Sequence, residues 1–553
     1  MSTRKLLISR LTRLYPFFFA AVPILHMAAG NVSKYRTGDL LFVLGSSLAA
    51  CGLLYALVAL MLRVARYGPT QIAPLIVLVP VLAFFNYRTS SRWIVEQLGH
   101  PLCISIGLLV SGTIIAWLAR RPSYLDKLNT FLTLSATFIV VVSVSQIVAG
   151  EFHARHTIER SSLVEQLARP IRPGRPIGAG SERGPDIYLI VMDQHANSSV
   201  LREVYGFDNH AFEDSLRRLG FTIPAVVWSN YARTTISLPS LLNAAHLAPL
   251  EAELGPSETN VGVADYLVEN NRAVPYLHQQ GYRFVFFPSQ WWPSTHRNSH
   301  ADVTFRAWSG LSLDHAIARS HLGRKLRPTT LLGFTNLGSN HADADFLRRT
   351  LEGIKNLPGS AGPIFAFAHV LSPHTPWVFD RSCGTVTGPR IRPPPFRNAD
   401  RRRAYIEQVQ CIDSLVLDVV QHLLKHSAHP PVILLQGDHG SNLLEYEKAG
   451  KAERVSPAQA RERFGAFGAY YLPEGGAKLF GDTTTVVNVL RHVLAYYAGA
   501  DLPVEPDDLY MSLEQRPFAF SRVDPRSLAS PGGNAALDLH PEGPVPGPAE
   551  KIR

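Results

Sequence analysis

The chain has 553 residues, too many for one ordinary domain. Its 54 Lys and Arg against 44 Asp and Glu give a net charge of +10. That excess alone would suit nucleic acid. The basic residues, however, sit beside apolar segments and in Arg-rich loops, as the topology of membrane spans requires, so nucleic acid is not expected as a partner. None of the four cysteines (Cys51, Cys103, Cys383, Cys411) forms a CxxC pattern or a His-Cys cluster, so a zinc knuckle is not expected either.

The first 150 residues read as a membrane domain of about five helices. Apolar stretches run near Pro16–Ala29, Leu40–Leu62, Ile72–Phe85, Pro101–Ala119 and Thr130–Ala149. The second, fourth and fifth approach the roughly 20 residues that span a bilayer, and the first and third are marginal alone. A cleavable signal peptide would explain the first but not the four that follow. Arg4, Lys5, Arg10 and Arg13 precede the first stretch, Arg63 and Arg66 follow the second, and Arg120, Arg121 and Lys127 follow the fourth. The alternate loops mix charges, with Lys34, Arg36 and Asp39 in one and Arg88, Arg92 and Glu96 in the other. The positive-inside rule then puts the N-terminus in the cytoplasm. Everything after about residue 150 is expected outside a multi-pass inner-membrane anchor. That compartment permits a Cys383–Cys411 bridge, with two unpaired buried thiols as the alternative.

Residues 151–185 read as a juxtamembrane amphipathic helix, Glu151–Leu167, and a Pro/Gly/Arg linker, Arg169–Pro185. From 186 to 522, strand and helix signals alternate. Asp186–Met192, Ala225–Trp228, Tyr282–Phe287, Ile364–Val370, Val432–Leu435 and Ala469–Leu472 read as strands. His210–Leu219, a helix beginning near Thr235, and Tyr405–Leu424 read as helices. This is the pattern of an α/β domain with a central, mostly parallel sheet covered on both faces. Residues 523–553 are Pro/Gly-rich and are expected to be disordered.

Three stretches carry candidate chemistry. Asp193 ends one core strand, and Asp438 and His439 follow another in VILLQGDHG. Ligands gather at such carboxyl ends, and a hard oxygen beside an imidazole suits a divalent metal. Between them lies SNYARTTISLPSLLN, in which Thr234 and Thr235 open a helix. There the free backbone N–H groups favour a bound anion, and a neighbouring metal lowers a hydroxyl's pKa. An N-cap role is the plain structural alternative for either threonine. His369 and His374, in FAHVLSPHTPWVFD, follow a further strand. His369 reads either as a satisfied core histidine or as a substrate contact. Trp291 and His296, in SQWWPSTHRN, are candidates for lining a substrate cleft, as are Gln290 and Trp292.

In that order the motifs resemble the alkaline-phosphatase/sulfatase superfamily, and in particular its membrane-anchored branch of lipoteichoic acid synthases and lipid A phosphoethanolamine transferases. The resemblance covers about residues 185–500. It implies Asp193, Thr234, Asp438 and His439 as ligands of one divalent metal ion (Mn, Zn or Mg), with Thr234 as the nucleophile. Thr234 is preferred to Thr235 because it lies three residues before the Ser of Ser237-Leu238-Pro239. The resemblance also implies that His374 contacts the transferred oxyanions or protonates the leaving oxygen. No CxPxR or SxPxR of formylglycine sulfatases lies at the nucleophile stretch. Gln194 stands where many two-metal members have a second Asp, and the downstream His of the phosphoethanolamine transferases is missing.

The expectation is therefore a metal-dependent hydrolase or transferase acting on phosphodiester groups of membrane lipid or envelope glycan, with its catalytic domain periplasmic. A sulfatase acting on sulfate esters is one alternative, and a non-catalytic membrane scaffold is the other. A transporter fits less well, because the spans carry no charge near mid-membrane.

Overall fold

The computed structural model of the chain describes residues 12–32, 35, 37–64, 70–90, 100–174, 184–291, 294–305, 340–359, 362–386, 398–528 and 539–540. They fall into two units, one up to Arg155 and one from His156 onward. Residues 175–183 of the expected linker, Trp292, and residues 529–538 and 541–553 of the expected tail lie outside the described set.

The first unit is helical: α1 (Tyr15–Ala29), α2 (Thr37–Val64), α3 (Ala73–Ser90), α4 (His100–Ala119) and α5 (Pro122–Arg160). Each of the five apolar stretches falls on its own helix. Leu40–Val64, Leu102–Ala119 and Pro122–Arg160 are long and apolar enough to cross a membrane, while Tyr15–Ala29 and Ala73–Phe85 are shorter. The fifth stretch is the middle of the 39-residue α5. The helix expected over Glu151–Leu167 is not continuous, because α5 ends at Arg160 and α6 covers Ser162–Ala168. Ser161 between them caps α6, its Oγ accepting from Val164 N (3.2 Å), and Glu253 accepts from Ser161 Oγ (2.6 Å) and Leu163 N (2.9 Å). Leu163 N and Val164 N are thereby satisfied, two of the donors that a helix start leaves unpaired. They fix the break where the periodicity alone suggested one helix.

The second unit is built on a six-stranded sheet in the order β4-β3-β5-β1-β6-β7. Its strands are β1 (Ile187–Met192), β3 (Arg283–Phe287), β4 (Val303–Thr304), β5 (Ile364–Val370), β6 (Val432–Gly437) and β7 (Gly468–Tyr471). All neighbours are parallel except β6–β7, which is antiparallel. Successive residues of a strand point to opposite faces. Ile187, Leu189, Val191, Val432 and Leu434 enter one core, and Tyr188, Ile190, Met192, Ile433 and Leu435 enter the other. Burial on both faces is why β1, β5 and β6 read as unbroken apolar runs. Each such side chain contributes about 1.5–3 kcal/mol by leaving water.

Register then sets the site. Met192 pairs with Val370 on one side and with Gly437 on the other. The three central strands therefore stop level, and the residues just past them, Asp193 and Asp438, share one edge with His369.

Two smaller sheets complete the unit. β2 (Val226–Trp228) pairs in parallel with β8 (Thr483–Thr485). β9 (Leu509–Leu513) and β10 (Arg516–Val523) form an antiparallel pair, onto which β11 (Leu539–His540) adds at Arg522–Val523. A short helix at Pro525–Leu528 follows β10, with Val523 and Leu528 buried beside Trp228 and Phe464. The disordered tail expected from 523 is thus corrected over 523–528 and 539–540, because apolar Val523 and Leu528 reach a core that the Pro/Gly composition concealed.

Candidate active site

The Asp-His turn is shaped by its flanking glycines. A Cβ on Gly437 would stand 2.4 Å from the carbonyl oxygen of His195, and one on Gly440 2.0 Å from that of Glu462. Backbone from two other segments occupies the space a side chain needs, so Asp438 and His439 have to be bracketed by glycine. The Asp438 carbonyl accepts from Ser237 Oγ (2.6 Å) and Ser229 Oγ (2.8 Å). Ser237 lies on the helix Thr234–Asn243, so this bond ties the threonine helix to the end of β6.

The turn after β1 is held in an unusual conformation. Gln194 has φ +65°, a left-handed value uncommon outside glycine. Its N–H donates to Asp438 Oδ1 (3.0 Å), and its carbonyl accepts from Tyr405 Oη (2.7 Å). His195, the next residue, is buried against Asp413 (Nε2–Oδ1 2.7 Å). The Gln194 backbone, rather than its side chain, therefore bridges the two aspartates.

Asp193, His369 and Asp438 are fully buried, and their ligand atoms lie within 4.8 Å of one another. His369 Nε2 is 3.3 Å from Asp193 Oδ2, and His439 Nε2 is 3.3 Å from Asp438 Oδ2. Among the described residues, neither Asp193 oxygen, nor Asp438 Oδ2, nor His369 Nε2 has a hydrogen-bond partner. Buried polar atoms are normally satisfied, and leaving a charged one unpaired costs several kcal/mol. Their approach to about 3 Å is the ligand-to-ligand spacing around one cation with bonds near 2.1 Å. The residues fit a divalent ion.

Electrostatics agree with that reading. Burial raises the Asp193 carboxyl, but the imidazoles of His374 and His369 outweigh it and hold the group below the ordinary carboxylate range. Burial, then the charge of Asp193, push Asp438 upward. Burial and the neighbouring Arg463 guanidinium drive His439 well below the usual imidazole value. Arg463 Nη2, which can only donate, lies 3.1 Å from His439 Nε2, so that nitrogen accepts and the ring is neutral. Its Nδ1 faces Gly440 O (2.9 Å) and carries the proton, which leaves the Nε2 lone pair turned into the site. A neutral imidazole offered by one nitrogen is the form in which histidine ligates metals.

Thr234 is the first residue of its helix and is buried. Its Oγ1 lies 2.9 Å from His439 Nε2. The alternative N-cap role is not what the hydroxyl does, since Arg233 holds that position and makes no side-chain cap bond. Thr235, one residue on, is half-buried.

The structure thus brings Asp193, Thr234, Asp438 and His439 together and adds His369 to the same cluster. His369 Nδ1 is engaged by Thr295 Oγ1 (2.9 Å), which orients its Nε2 toward Asp193. His374 lies alongside, half-buried. Its backbone N–H donates to Asp193 O (3.0 Å), and its ring stands edge-on to Trp291 at 5.6 Å. Trp291 also meets His369, at 6.4 Å. His296 is half-buried on the same loop, but the residue of that loop bonded to His369 is its neighbour Thr295. Cys383 and Cys411 are joined as a disulfide.

Sequence reasoning missed Thr295, Ser229, Glu462 and Arg463. Buried Glu462 accepts from Ser441 Oγ (2.8 Å), Leu443 N (2.6 Å) and Leu444 N (2.8 Å), and so shapes the loop after the Asp-His turn. Arg463 Nη2 lies 3.1 Å from His439 Nε2. The only signal for this pair was two charges, Glu462 and Arg463, directly before the apolar FGAFGAYYL.

The Sulfatase family model matches residues 214–467, a span containing Thr234, His369, His374, Asp438, His439 and Arg463. No curated protein matches. Among solved structures, the zinc complex of the C-terminal periplasmic domain of EcEptC from Escherichia coli is 11% identical, with TM-score 0.43, over 66% of this chain and 99% of that one. Lipooligosaccharide phosphoethanolamine transferase A from Neisseria meningitidis is 12% identical, with TM-score 0.38, over 88% of this chain and 95% of that one. An alkaline phosphatase superfamily protein from Vibrio parahaemolyticus is 11% identical, with TM-score 0.38, over 64% and 78%. Behind its apolar helices, this chain is similar to the Sulfatase family over residues 214–467.

Proposed function

We propose that this protein is a membrane-anchored, metal-dependent hydrolase or transferase that cleaves a phosphodiester on envelope lipid or glycan through Thr234. The observation that carries the reading is the Thr234 Oγ1–His439 Nε2 contact of 2.9 Å beside the unpaired oxygens of Asp193 and Asp438. A hydroxyl that is buried, opens a helix and reaches a metal-type donor cluster is placed for nucleophilic attack rather than for capping. Asp193, Asp438 and His439 would hold one divalent cation with Thr234 Oγ1, and His369 closes the same cluster. Bound there, the cation lowers the hydroxyl's pKa and neutralises charge on the transferred group.

The chain's own residues supply the rest. Thr234 Oγ1, its proton lost to solvent, forms the new ester bond to phosphorus as the bond from phosphorus to the leaving oxygen breaks. The first-turn N–H groups of its helix face the developing negative charge. His374 Nδ1 is committed to Thr375 O, which leaves Nε2 for the leaving oxygen. Trp291 meets both His374 and His369 edge-on and flanks that side of the site. The loop charges favour a cytoplasmic N-terminus, which sets residues 186–522 outside the inner membrane, beside envelope lipid and glycan.

Thr234→Ala should lower turnover of a model phosphodiester by about three orders of magnitude or more while metal content is retained. Unchanged turnover would sink the assignment. Protein purified from its own membranes should yield a phosphoryl adduct on the Thr234 peptide, still esterified to the substituent that does not leave. A sulfate adduct, with model sulfate esters as the better substrates, would instead favour the sulfatase reading. Comparative lipid and glycan analysis of a deletion strain names the substrate.

A further inference from the structure

Arg463 is a buried cation that the proposed chemistry has not yet used. It is the penultimate residue of the helix Pro457–Phe464, and its guanidinium stacks over the Tyr446 ring at 5.1 Å. Nε donates to Ala232 O (2.5 Å), Nη1 to Gly440 O (3.0 Å) and Nη2 to His439 Nε2 (3.1 Å). The first two bonds hold the head group between the residue two before Thr234 and the residue just after His439. Of the five guanidinium N–H groups, three are thereby committed.

The third bond is the weak one. His439 Nε2 offers one lone pair, because its Nδ1 carries the proton for Gly440 O. Both Arg463 Nη2 and Thr234 Oγ1 reach for that lone pair, at 3.1 and 2.9 Å. When His439 ligates a cation, the lone pair is taken. The Nη2 donor then needs another acceptor in a buried site, and the two remaining guanidinium N–H groups have no partner among the described residues. A guanidinium anchored by two carbonyls, with its free edge beside the nucleophile, is built to receive a tetrahedral oxyanion through a bidentate contact. Charge points the same way. Asp193 and Asp438 contribute two negative charges and a divalent ion two positive, so Arg463 supplies the surplus positive charge that an anionic group needs.

We propose that Arg463 binds the oxygens of the group transferred to Thr234, serving as the anion-binding cation of the site. This inference rests on the reading of Thr234 as nucleophile, but its test does not use turnover. The full-length protein, purified in detergent with its metal, is titrated with labelled inorganic phosphate by equilibrium dialysis, and metal content and thermal unfolding are followed in parallel. Arg463→Gln should keep its metal and bind phosphate at least about tenfold more weakly, the loss expected for one charge-assisted contact. Arg463→Lys, which keeps the charge but not the fork, should fall between. Thr234→Ala should still bind phosphate. If Thr234→Ala leaves turnover intact, the nucleophile assignment fails while the Arg463 titration keeps its own answer.

Retained metal with phosphate affinity within about twofold of wild type in Arg463→Gln would overturn the proposal, as would absence of phosphate binding by the wild type. Should Arg463→Gln lose its metal or fold, a crystal structure of the wild type with metal and phosphate decides. Phosphate oxygens at hydrogen-bond distance from Nη1 or Nη2 support the proposal. Phosphate bound with none of its oxygens at hydrogen-bond distance from the Arg463 guanidinium refutes it.

Discussion

Reduction of the Cys383–Cys411 bond tests how the His374 loop is held. Cys411 lies on the helix Asn398–His426, which also carries Tyr405, bonded to Gln194 O, and Asp413, bonded to His195. From the same helix, Gln408 accepts from Val378 N (3.0 Å) and Phe379 N (2.9 Å) and donates to Ser372 Oγ (2.9 Å). One helix thus positions both the Asp193 turn and the loop bearing His374, and the disulfide is the covalent part of that hold. The bridge closes a loop of sequence separation 28. Loop-closure entropy for that length amounts to about 3.6 kcal/mol at 25 °C. For a unit the size of residues 156–553, an unfolding entropy near 0.8 kcal/mol/K converts this to a fall in Tm of roughly 5 °C.

The assay is thermal unfolding of the purified full-length protein, oxidised and reduced, with a Cys383→Ala/Cys411→Ala variant as the permanently open form. Turnover should fall by less than about tenfold, because the three Gln408 bonds remain and each contributes about 1 kcal/mol. A Tm that moves by less than about 1 °C on reduction of a bond shown to be present would refute the loop-closure argument. A complete loss of turnover without a Tm change would mean that the disulfide, and not Gln408, sets His374.

Two further outcomes follow from the same geometry. Gly440→Ala drives a Cβ to 2.0 Å from Glu462 O and 2.8 Å from Gly465 O, both backbone. It should cost about 1–3 kcal/mol of stability and abolish metal binding by displacing His439, read by elemental analysis and thermal unfolding; a variant that keeps its metal would show that the turn has slack. Thr295→Val removes the hydroxyl on His369 Nδ1 without changing shape much. Metal affinity should fall about 10- to 100-fold in competition with a chelator and turnover should recover at saturating metal, whereas unchanged affinity would place His369 outside the metal cluster.

The sheet was legible because strands buried on both faces announce themselves. Asp186–Met192, Ile364–Val370 and Val432–Leu435 each lie within a residue or two of the observed strand. The β9–β10 pair was missed, since MSLEQRPFAF mixes charge and Pro into its strands and shows no clean alternation. The same contrast runs through the site. Asp193 and Asp438 could be located because register carries a residue just past a strand to a known edge, and parallel neighbours that stop level bring two such residues together. The orienting partners have no such rule. Thr295 lies on a loop and Arg463 at the end of a short helix, and each reaches its histidine across the fold, 74 and 24 residues away in the chain. His369 shows why this matters. On the strand alone it reads equally as a core residue, and it is the Thr295 hydroxyl on Nδ1, turning Nε2 toward a carboxylate with no hydrogen bond among the described residues, that gives it a place in the proposed cluster. Residue type and strand position thus locate the donors of this site. Which nitrogen each histidine offers depends on groups that lie elsewhere in the sequence, and so does where the surplus positive charge comes from.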